Sequence, residues 1–213
     1  MKKAALHNLG CKVNAYETEA MQHLLEEAGY EIVPFTQKAD VYVINTCSVT
    51  NMADRKSRQM LHKAKKNNPD SIVVAAGCYV QTSEKEVLND LSVDIVIGND
   101  RKHDLVRLLE EYSLDSVNDT VDDINDGKHD FEELFIDQTK EHTRAFIKVQ
   151  DGCNQFCSYC IIPYARGRVR SRRFENVIAE VERLAANGFK EVVLTGIHLS
   201  SYGVDFAEAT GLL

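Results

Sequence analysis

The 213-residue sequence predicts an α/β fold: an open, mostly parallel sheet followed by the first βαβ part of a (β/α) barrel. Two observations predict the sheet. The apolar runs at 41–44 and 72–76 are nearly continuous, as in strands that are buried on both faces. Between such runs, apolar residues recur at helical spacing, as Met21, Leu24 and Leu25 do. Strands that alternate with helices form a mostly parallel sheet covered by helices.

The elements follow one another in a regular order through the first part of the chain. The first helix is expected to end at Gly29, and the basic helix after the second strand is expected to end at 67–69 (Asn-Asn-Pro). Ser83 and Glu86 are spaced as a capping box, which predicts the start of another helix. Strands are predicted at 4–9, 41–44, 72–76 and 94–97.

The distribution of charge divides the chain into three parts. The net charge is −8, and residues 112–142 account for all of it with ten acids and two bases. We therefore predict an amino-terminal α/β domain at 1–111, an acidic linker at 112–142 and the start of a truncated barrel at 143–213. For the linker we expect a solvated acidic loop, with a short ordered patch at 131–136 as the alternative. A (β/α) barrel typically needs about 200 residues or more, so the sequence is expected to be a fragment of a longer protein.

The composition favours a cytoplasmic protein with reduced cysteines. The first residues have two lysines but too short an apolar run for a signal peptide, and no later run reaches transmembrane length. We therefore expect no membrane partner. Six cysteines in the reducing cytosol indicate metal binding or catalysis more readily than disulfides.

Three cysteines are far apart in sequence but occupy equivalent positions. Cys11, Cys47 and Cys78 each follow the end of a predicted strand. In an open parallel sheet the carboxyl ends of the strands lie at the edge where ligands bind, so three thiols there can converge on one metal site. Taken singly, each cysteine is better explained as an ordinary buried residue.

The other three cysteines lie within eight residues, at Cys153, Cys157 and Cys160, again directly after a predicted strand. A short loop of this kind can bind three corners of a cubane cluster. No fourth cysteine is nearby, unlike in a ferredoxin, so one iron is left open for another ligand. Zinc is the alternative, but it requires additional ligands, and no histidine is close to this loop in the sequence.

The spacing of this second set resembles the radical S-adenosylmethionine superfamily, including an aromatic residue, Tyr159, before the last cysteine. The resemblance implies that the open iron binds S-adenosylmethionine, that its cleavage gives a 5′-deoxyadenosyl radical, and that Tyr159 lies beside the adenine. We assign Arg166 and Gly196 to the same cofactor.

The combination of both cysteine sets resembles the methylthiotransferases. The similar segments are 9–14, 45–50, 76–78, 151–154, 166–168 and 194–203. Residues 12–14 and 197–203 are most similar to the enzymes that act on threonylcarbamoyladenosine in tRNA. The resemblance implies two 4Fe-4S clusters, a tRNA substrate and an electron donor such as a flavodoxin or a ferredoxin. The fragment alone is expected to be inactive.

Three other functions are compatible with the sequence. Related enzymes act on another tRNA adenosine or on a ribosomal protein. A non-catalytic iron–sulfur protein is the next candidate, and a zinc-stabilised RNA-binding module is the third.

Two basic segments are candidates for RNA contact. An arginine run follows the cluster loop, and alternation in an extended segment would send four of its members to one side; guanidinium groups suit phosphates and carboxylates. The basic helix after Cys47 is as well explained by a solvated helix face. The candidate RNA-binding residues of the run are Arg168, Arg170, Arg172 and Arg173.

Overall fold

The computed structural model describes residues 1–112, 118–127, 129–136 and 144–207. Its larger sheet has six strands in the order β2-β1-β3-β4-β5-β6, and all neighbouring pairs are parallel. The predicted open parallel sheet is therefore confirmed. The strands are β1 (Lys3–Asn8), β2 (Glu31–Ile32), β3 (Val41–Thr46), β4 (Ile72–Gly77), β5 (Ile95–Ile97) and β6 (Asn118–Thr120).

Helices cover both faces of this sheet. On one face Tyr42 and Val73 pack with Leu61 of the second helix. On the other face Val43 packs with Leu25 and other residues of the first and fifth helices. Alternate residues of β3 therefore enter different cores, which explains the continuous apolar runs. The helices are α1 (Lys12–Glu27), α2 (Asn51–Asn67), α3 (Cys78–Thr82), α4 (Glu84–Leu88) and α5 (Leu105–Glu111).

Helix α2 begins with a side-chain cap, but α4 does not. The Thr50 hydroxyl accepts a hydrogen bond from the Ala53 amide at 3.2 Å. Ser83 makes no side-chain cap, so the predicted capping box is wrong, although α4 does start there. The chain at Ser83 instead forms a sharp junction between two short helices, with a backbone bond from the Glu86 amide to the Ser83 carbonyl.

A second, smaller sheet has the order β8-β7-β9. Strands β7 and β9 are parallel, as in the predicted βαβ unit, and β8 is an added antiparallel strand beside β7. The elements of this part are β7 (Ala145–Asp151), α6 (Ile162–Arg166), β8 (Arg170–Ser171), α7 (Phe174–Ala186) and β9 (Val192–Gly196).

Parts of the predicted acidic linker belong to the packed structure. Strand β6 lies within it and extends the larger sheet. Leu134 and Ile136 are buried against Tyr16 and Ala20 of α1 and against β7. The expected solvated loop is therefore wrong for these residues, because their apolar side chains cover the junction of α1 and β7, whereas the alternative of an ordered patch at 131–136 agrees with the structure. Residues 113–117, 128 and 137–143 lie outside the described part.

No described helix has the length and apolar character needed to cross a lipid bilayer.

Candidate iron–sulfur and cofactor site

The first cysteine set lies at one edge of the larger sheet, as predicted. Cys11 precedes α1, Cys47 follows β3 directly, and Cys78 is the first residue of α3 after β4. Strands β1, β3 and β4 are neighbours, so their carboxyl ends bring the three loops together. Burial raises the pKa of the Cys47 thiol, and the sulfurs of Cys78 and Cys11 raise it further. The three cysteines therefore share one edge of the larger sheet.

Two glycines allow the backbone to turn at this edge. Gly10 has a φ of +115°, and a Cβ at this position would lie 3.2 Å from the Cys47 sulfur. Gly77 has a φ of +97°, and its Cβ would lie 2.6 Å from the carbonyl oxygen of Thr46. A larger residue at either position would be strained, and at Gly10 it would also approach the Cys47 sulfur.

The sulfur of Cys78 accepts hydrogen bonds from two side chains. The Arg166 Nε is 3.3 Å from this sulfur, and the Asn99 Nδ2 is 3.6 Å from it. Cys78, Arg166 and Asn99 are all buried. Arg166 and Asn99 therefore hold the Cys78 sulfur in a buried, hydrogen-bonded position.

The second cysteine set lies on a loop that is fixed at its start and accessible along its length. Gly152 has a φ of +70°, and a Cβ there would be only 1.8 Å from the carbonyl oxygen of Arg168. The Cys153 amide donates to the carbonyl oxygen of Gly167 at 3.0 Å. Cys157 is exposed, and Cys153 and Cys160 are partly exposed. The backbone is thus held against the chain at 167–168 while the thiols remain available.

The residues assigned to S-adenosylmethionine occupy different environments. Tyr159 is 90% exposed beside the cysteine loop. Gly196 ends β9, and a Cβ there would meet the Gln150 side chain, whose Oε1 is 2.9 Å away. Arg166 is fully buried, and its guanidinium binds the protein groups of Glu17, Asp151 and Asn14; its assignment to the cofactor stays a prediction.

The arginine run does not form one phosphate-binding face. Arg166 ends helix α6, so the segment is not extended from there, and the predicted alternation is wrong. Arg172 is buried against Glu180 and Glu133, and Arg170 is buried near Asp151. Burial with carboxylates contradicts the predicted phosphate contacts of both. Arg168 and Arg173 are exposed.

The basic helix α2 carries most of its charge on the surface. Arg55, Lys56, Lys63 and Lys66 are exposed, whereas Lys65 forms an ion pair with Asp94 at 2.6 Å. The charges of Lys56 and Lys63 contribute, after burial, to a lowered pKa of His7. The exposed bases therefore create a positive field on this side of the molecule.

A buried ion network joins the two parts of the chain, and the sequence analysis missed it. Glu17 of α1 accepts from Arg166 at 2.6 Å and from Lys148 at 2.8 Å. Lys148 and Arg166 also bind Asp151, which precedes the cysteine loop. A lysine inside an apolar strand was the available signal, since a buried amine needs an anionic partner.

The charged forms of Glu17, Asp151 and Lys148 are favoured by their partners in the network. Burial raises the pKa of Glu17, but Arg166, Lys102 and Lys148 outweigh it, so this pKa lies well below its usual range. Asp151 is shifted in the same direction, since Lys148, Arg166 and Arg170 outweigh its burial. Burial lowers the pKa of Lys148, but the charges of Asp151 and Glu17 raise it above its usual value.

The two cysteine sets fit iron–sulfur clusters in their donor chemistry. Each set supplies three free cysteine sulfurs, the ligand type of iron–sulfur clusters. Arg170 adds two buried donors, Nε and Nη1, without partners in the part of the chain that the structure describes. Within these same residues, no group of three His, Cys, Asp or Glu side chains is placed to hold a single metal ion.

Comparisons with known proteins cover the same two parts. Residues 3–98 match the family model described as uncharacterized protein family UPF0004, and residues 147–209 match the radical SAM superfamily. The chain is 47% identical over 210 residues to a threonylcarbamoyladenosine tRNA methylthiotransferase from Bacillus subtilis, covering 98% of this chain and 46% of that protein. A protein of the same name from Aquifex aeolicus is 46% identical, with coverage of 95% and 50%. The chain thus spans about half the length of these relatives.

A solved structure has a fold similar to that of nearly the whole chain. A radical S-adenosylmethionine methyltransferase from Kitasatospora setae superposes with a TM-score of 0.60 over 94% of this chain and 48% of that chain. At 15% identity this likeness concerns the fold alone. The chain is therefore similar to the tRNA methylthiotransferases along nearly its whole length, and it joins a segment that matches UPF0004 to a segment that matches the radical SAM superfamily.

Proposed function

We propose that the protein converts threonylcarbamoyladenosine beside the anticodon of tRNA to its 2-methylthio derivative, as the names of its relatives indicate. One observation carries the proposal. Two separate three-cysteine sets lie at the ends of strands in neighbouring parts of the fold, and Arg166 connects Cys78 of one set to Asp151 beside the other. A reaction that needs two clusters near one substrate would use this arrangement.

The residues have separable roles in this proposal. Cys11, Cys47 and Cys78 would hold one 4Fe-4S cluster, and the second set would hold another that binds S-adenosylmethionine. When bound, these groups supply a carbon radical that removes hydrogen from an unreactive C–H bond and a sulfur for the modified base. The chain itself holds the cysteine loop in place through Gly152 and the Cys153 amide. Tyr159 offers an exposed aromatic ring for the adenine of the cofactor.

We also propose where RNA and the electron donor would act. The exposed bases of α2, together with Arg168 and Arg173, supply positive charge for phosphates, which dominate the affinity of most RNA complexes. Because the proposed substrate is tRNA, we propose that the reaction takes place in the cytoplasm. A small electron carrier such as a flavodoxin or ferredoxin would reduce the clusters.

A second substrate has a specific observation in its favour. The chain is 36% identical over 211 residues to a tRNA-2-methylthio-N(6)-dimethylallyladenosine synthase from Thermoanaerobacter sp., covering 95% of this chain and 44% of that protein. Another tRNA adenosine therefore remains the alternative substrate. The higher identity to the threonylcarbamoyladenosine enzymes favours the first proposal.

The first experiment is anaerobic reconstitution with iron and sulfide, followed by iron counting and EPR with and without S-adenosylmethionine. We expect about eight irons per chain and a signal that changes when S-adenosylmethionine is added. An iron–sulfur signal indifferent to the cofactor would instead support a non-catalytic cluster protein. Bound zinc without labile sulfide would favour a structural module.

The substrate is tested in cells that lack their own methylthiotransferase. Expression of a gene that carries this sequence at the full length of its relatives should restore 2-methylthio-threonylcarbamoyladenosine, detected by mass spectrometry of tRNA nucleosides, whereas residues 1–213 alone should not. A variant with Cys157→Ser is the matched negative control. Appearance of the dimethylallyl product instead would assign the alternative substrate.

A further inference from the structure

The buried ion network carries more positive than negative charge. Four cations, Lys102, Lys148, Arg166 and Arg170, share the carboxylates of Glu17 and Asp151. Glu132 is a third nearby carboxylate that acts on Lys148, and it still leaves the cations in excess. Buried charge is costly unless it is compensated, so the network favours an additional anion beside it.

The first cysteine site lies beside this network, and a cluster bound there would supply the additional negative charge. Arg166 donates from Nε to the Cys78 sulfur at 3.3 Å while both of its terminal nitrogens bind Glu17. Its Nη2 also donates to Asn14 Oδ1 at 2.7 Å, and that same oxygen is 3.6 Å from the Cys11 sulfur. One guanidinium is thus fixed by protein partners and contacts the sulfur of one of the three ligands, Cys78.

We propose that Arg166 is a positioning residue that sets the reduction potential of the cluster held by Cys11, Cys47 and Cys78. This inference rests on the proposed two-cluster function. Hydrogen bonds to sulfur and nearby positive charge favour the reduced, more negative state of an iron–sulfur cluster and therefore raise its potential. The arrangement also ties the first cluster to the second loop, because Arg166 binds Asp151, two residues before Cys153.

Two substitutions in the network are predicted to shift the potential of the first cluster in opposite directions. Arg166→Gln removes a positive charge and the Nε donor, so the midpoint potential of the first cluster should fall. Glu17→Gln removes a negative charge from the same network, so the potential should rise. Simple damage to the fold does not produce shifts of opposite sign.

A matched control is available in the same part of the chain. Arg172 is as completely buried as Arg166, but its side chain contacts Glu133, Glu180, Tyr16, the Leu134 carbonyl and the Phe135 ring rather than a cysteine. Arg172→Gln therefore imposes a comparable loss of a buried guanidinium without changing the cluster environment. Arg166→Lys serves as the rescue variant because it keeps the charge.

The experiment is an EPR-monitored redox titration of the 213-residue chain in a Cys157→Ser background, which leaves only the first cluster. For Arg166→Gln we expect at least a tenfold fall in the reduction equilibrium constant, about 59 mV for a one-electron couple. Arg166→Lys should recover most of that shift. Arg172→Gln should leave the reduction equilibrium constant within twofold of the parent's. Glu17→Gln should raise the equilibrium constant.

The iron count separates failure of this inference from failure of the proposed function. If the Cys157→Ser parent assembles no cluster, the two-cluster function itself fails. If the parent binds about four irons but Arg166→Gln leaves the potential unchanged, the role of Arg166 is overturned while the function stands. If Arg166→Gln does not fold, Glu17→Gln decides, and an unchanged or lower potential in that variant overturns the inference.

Discussion

The buried carboxylate of Glu17 makes a strong prediction about stability. In Glu17→Gln, the three cations that face this carboxylate would keep their charges and lose their shared anion. Arg166 is 2.6 Å, Lys148 2.8 Å and Lys102 3.4 Å from its oxygens, and the whole cluster is inaccessible to solvent. Removing one partner of a buried ion pair typically costs about 3–5 kcal/mol. That is a large fraction of the roughly 5–15 kcal/mol that stabilises a domain.

The assay is urea unfolding of the metal-free chain, followed by circular dichroism. With a urea m-value of about 1–3 kcal/mol/M, the midpoint should fall by at least about 1 M. The control is Glu27→Gln on the same helix. Glu27 is exposed and its pair with His23 lies at the surface, so that substitution should change stability by less than about 0.5 kcal/mol.

The effect of Glu17→Gln should also depend on pH. The pKa of Glu17 is depressed in the folded state, so its ionised form contributes stability above the unfolded pKa of about 4.3, and that stability is lost as the pH falls. The difference between wild type and variant should be largest near pH 7 and should shrink below about pH 4. A cost within 1 kcal/mol of the Glu27→Gln control, or one that is equal at both pH values, would refute the reasoning.

Three further predictions concern the cysteine sites and one histidine. Cys157→Ser should abolish the second cluster and Cys47→Ser the first, each leaving about four irons, and equal loss of both clusters in either variant would show that the sites are not independent. Gly77→Ala should prevent assembly of the first cluster alone, because its Cβ would lie 2.5 Å from Asn45 Oδ1 with φ at +97°; normal iron content by chemical analysis would contradict this. The hydrogen bond to Glu132 raises the pKa of His103, so this pair should stabilise the fold below about pH 6.5 and lose that contribution as the pH rises; a cost of His103→Gln that is independent of pH in thermal melts would rule it out.

The sequence alone determined the fold class and the position of the first three cysteines at one edge of the sheet. Apolar runs separated by amphipathic helices specify a parallel sheet because backbone hydrogen bonding and burial on both faces leave few other arrangements. Cysteines that follow strand ends must then meet at one edge, which is why Cys11, Cys47 and Cys78 were identified without coordinates. These features depend on local order along the chain, which a sequence records directly.

Only the tertiary structure determined which charged residues are buried and which partners they have. Arg170 and Arg172 had the sequence appearance of surface cations, yet both are buried, because carboxylates of other elements lie beside them. Glu17 and Lys148 are 131 residues apart and form one ion pair. This long-range pairing of charges follows from the packing of α1 against β7. It cannot be predicted from the residue spacing within a single segment. The same packing buried Leu134 and Ile136, which the acidic composition around them had concealed.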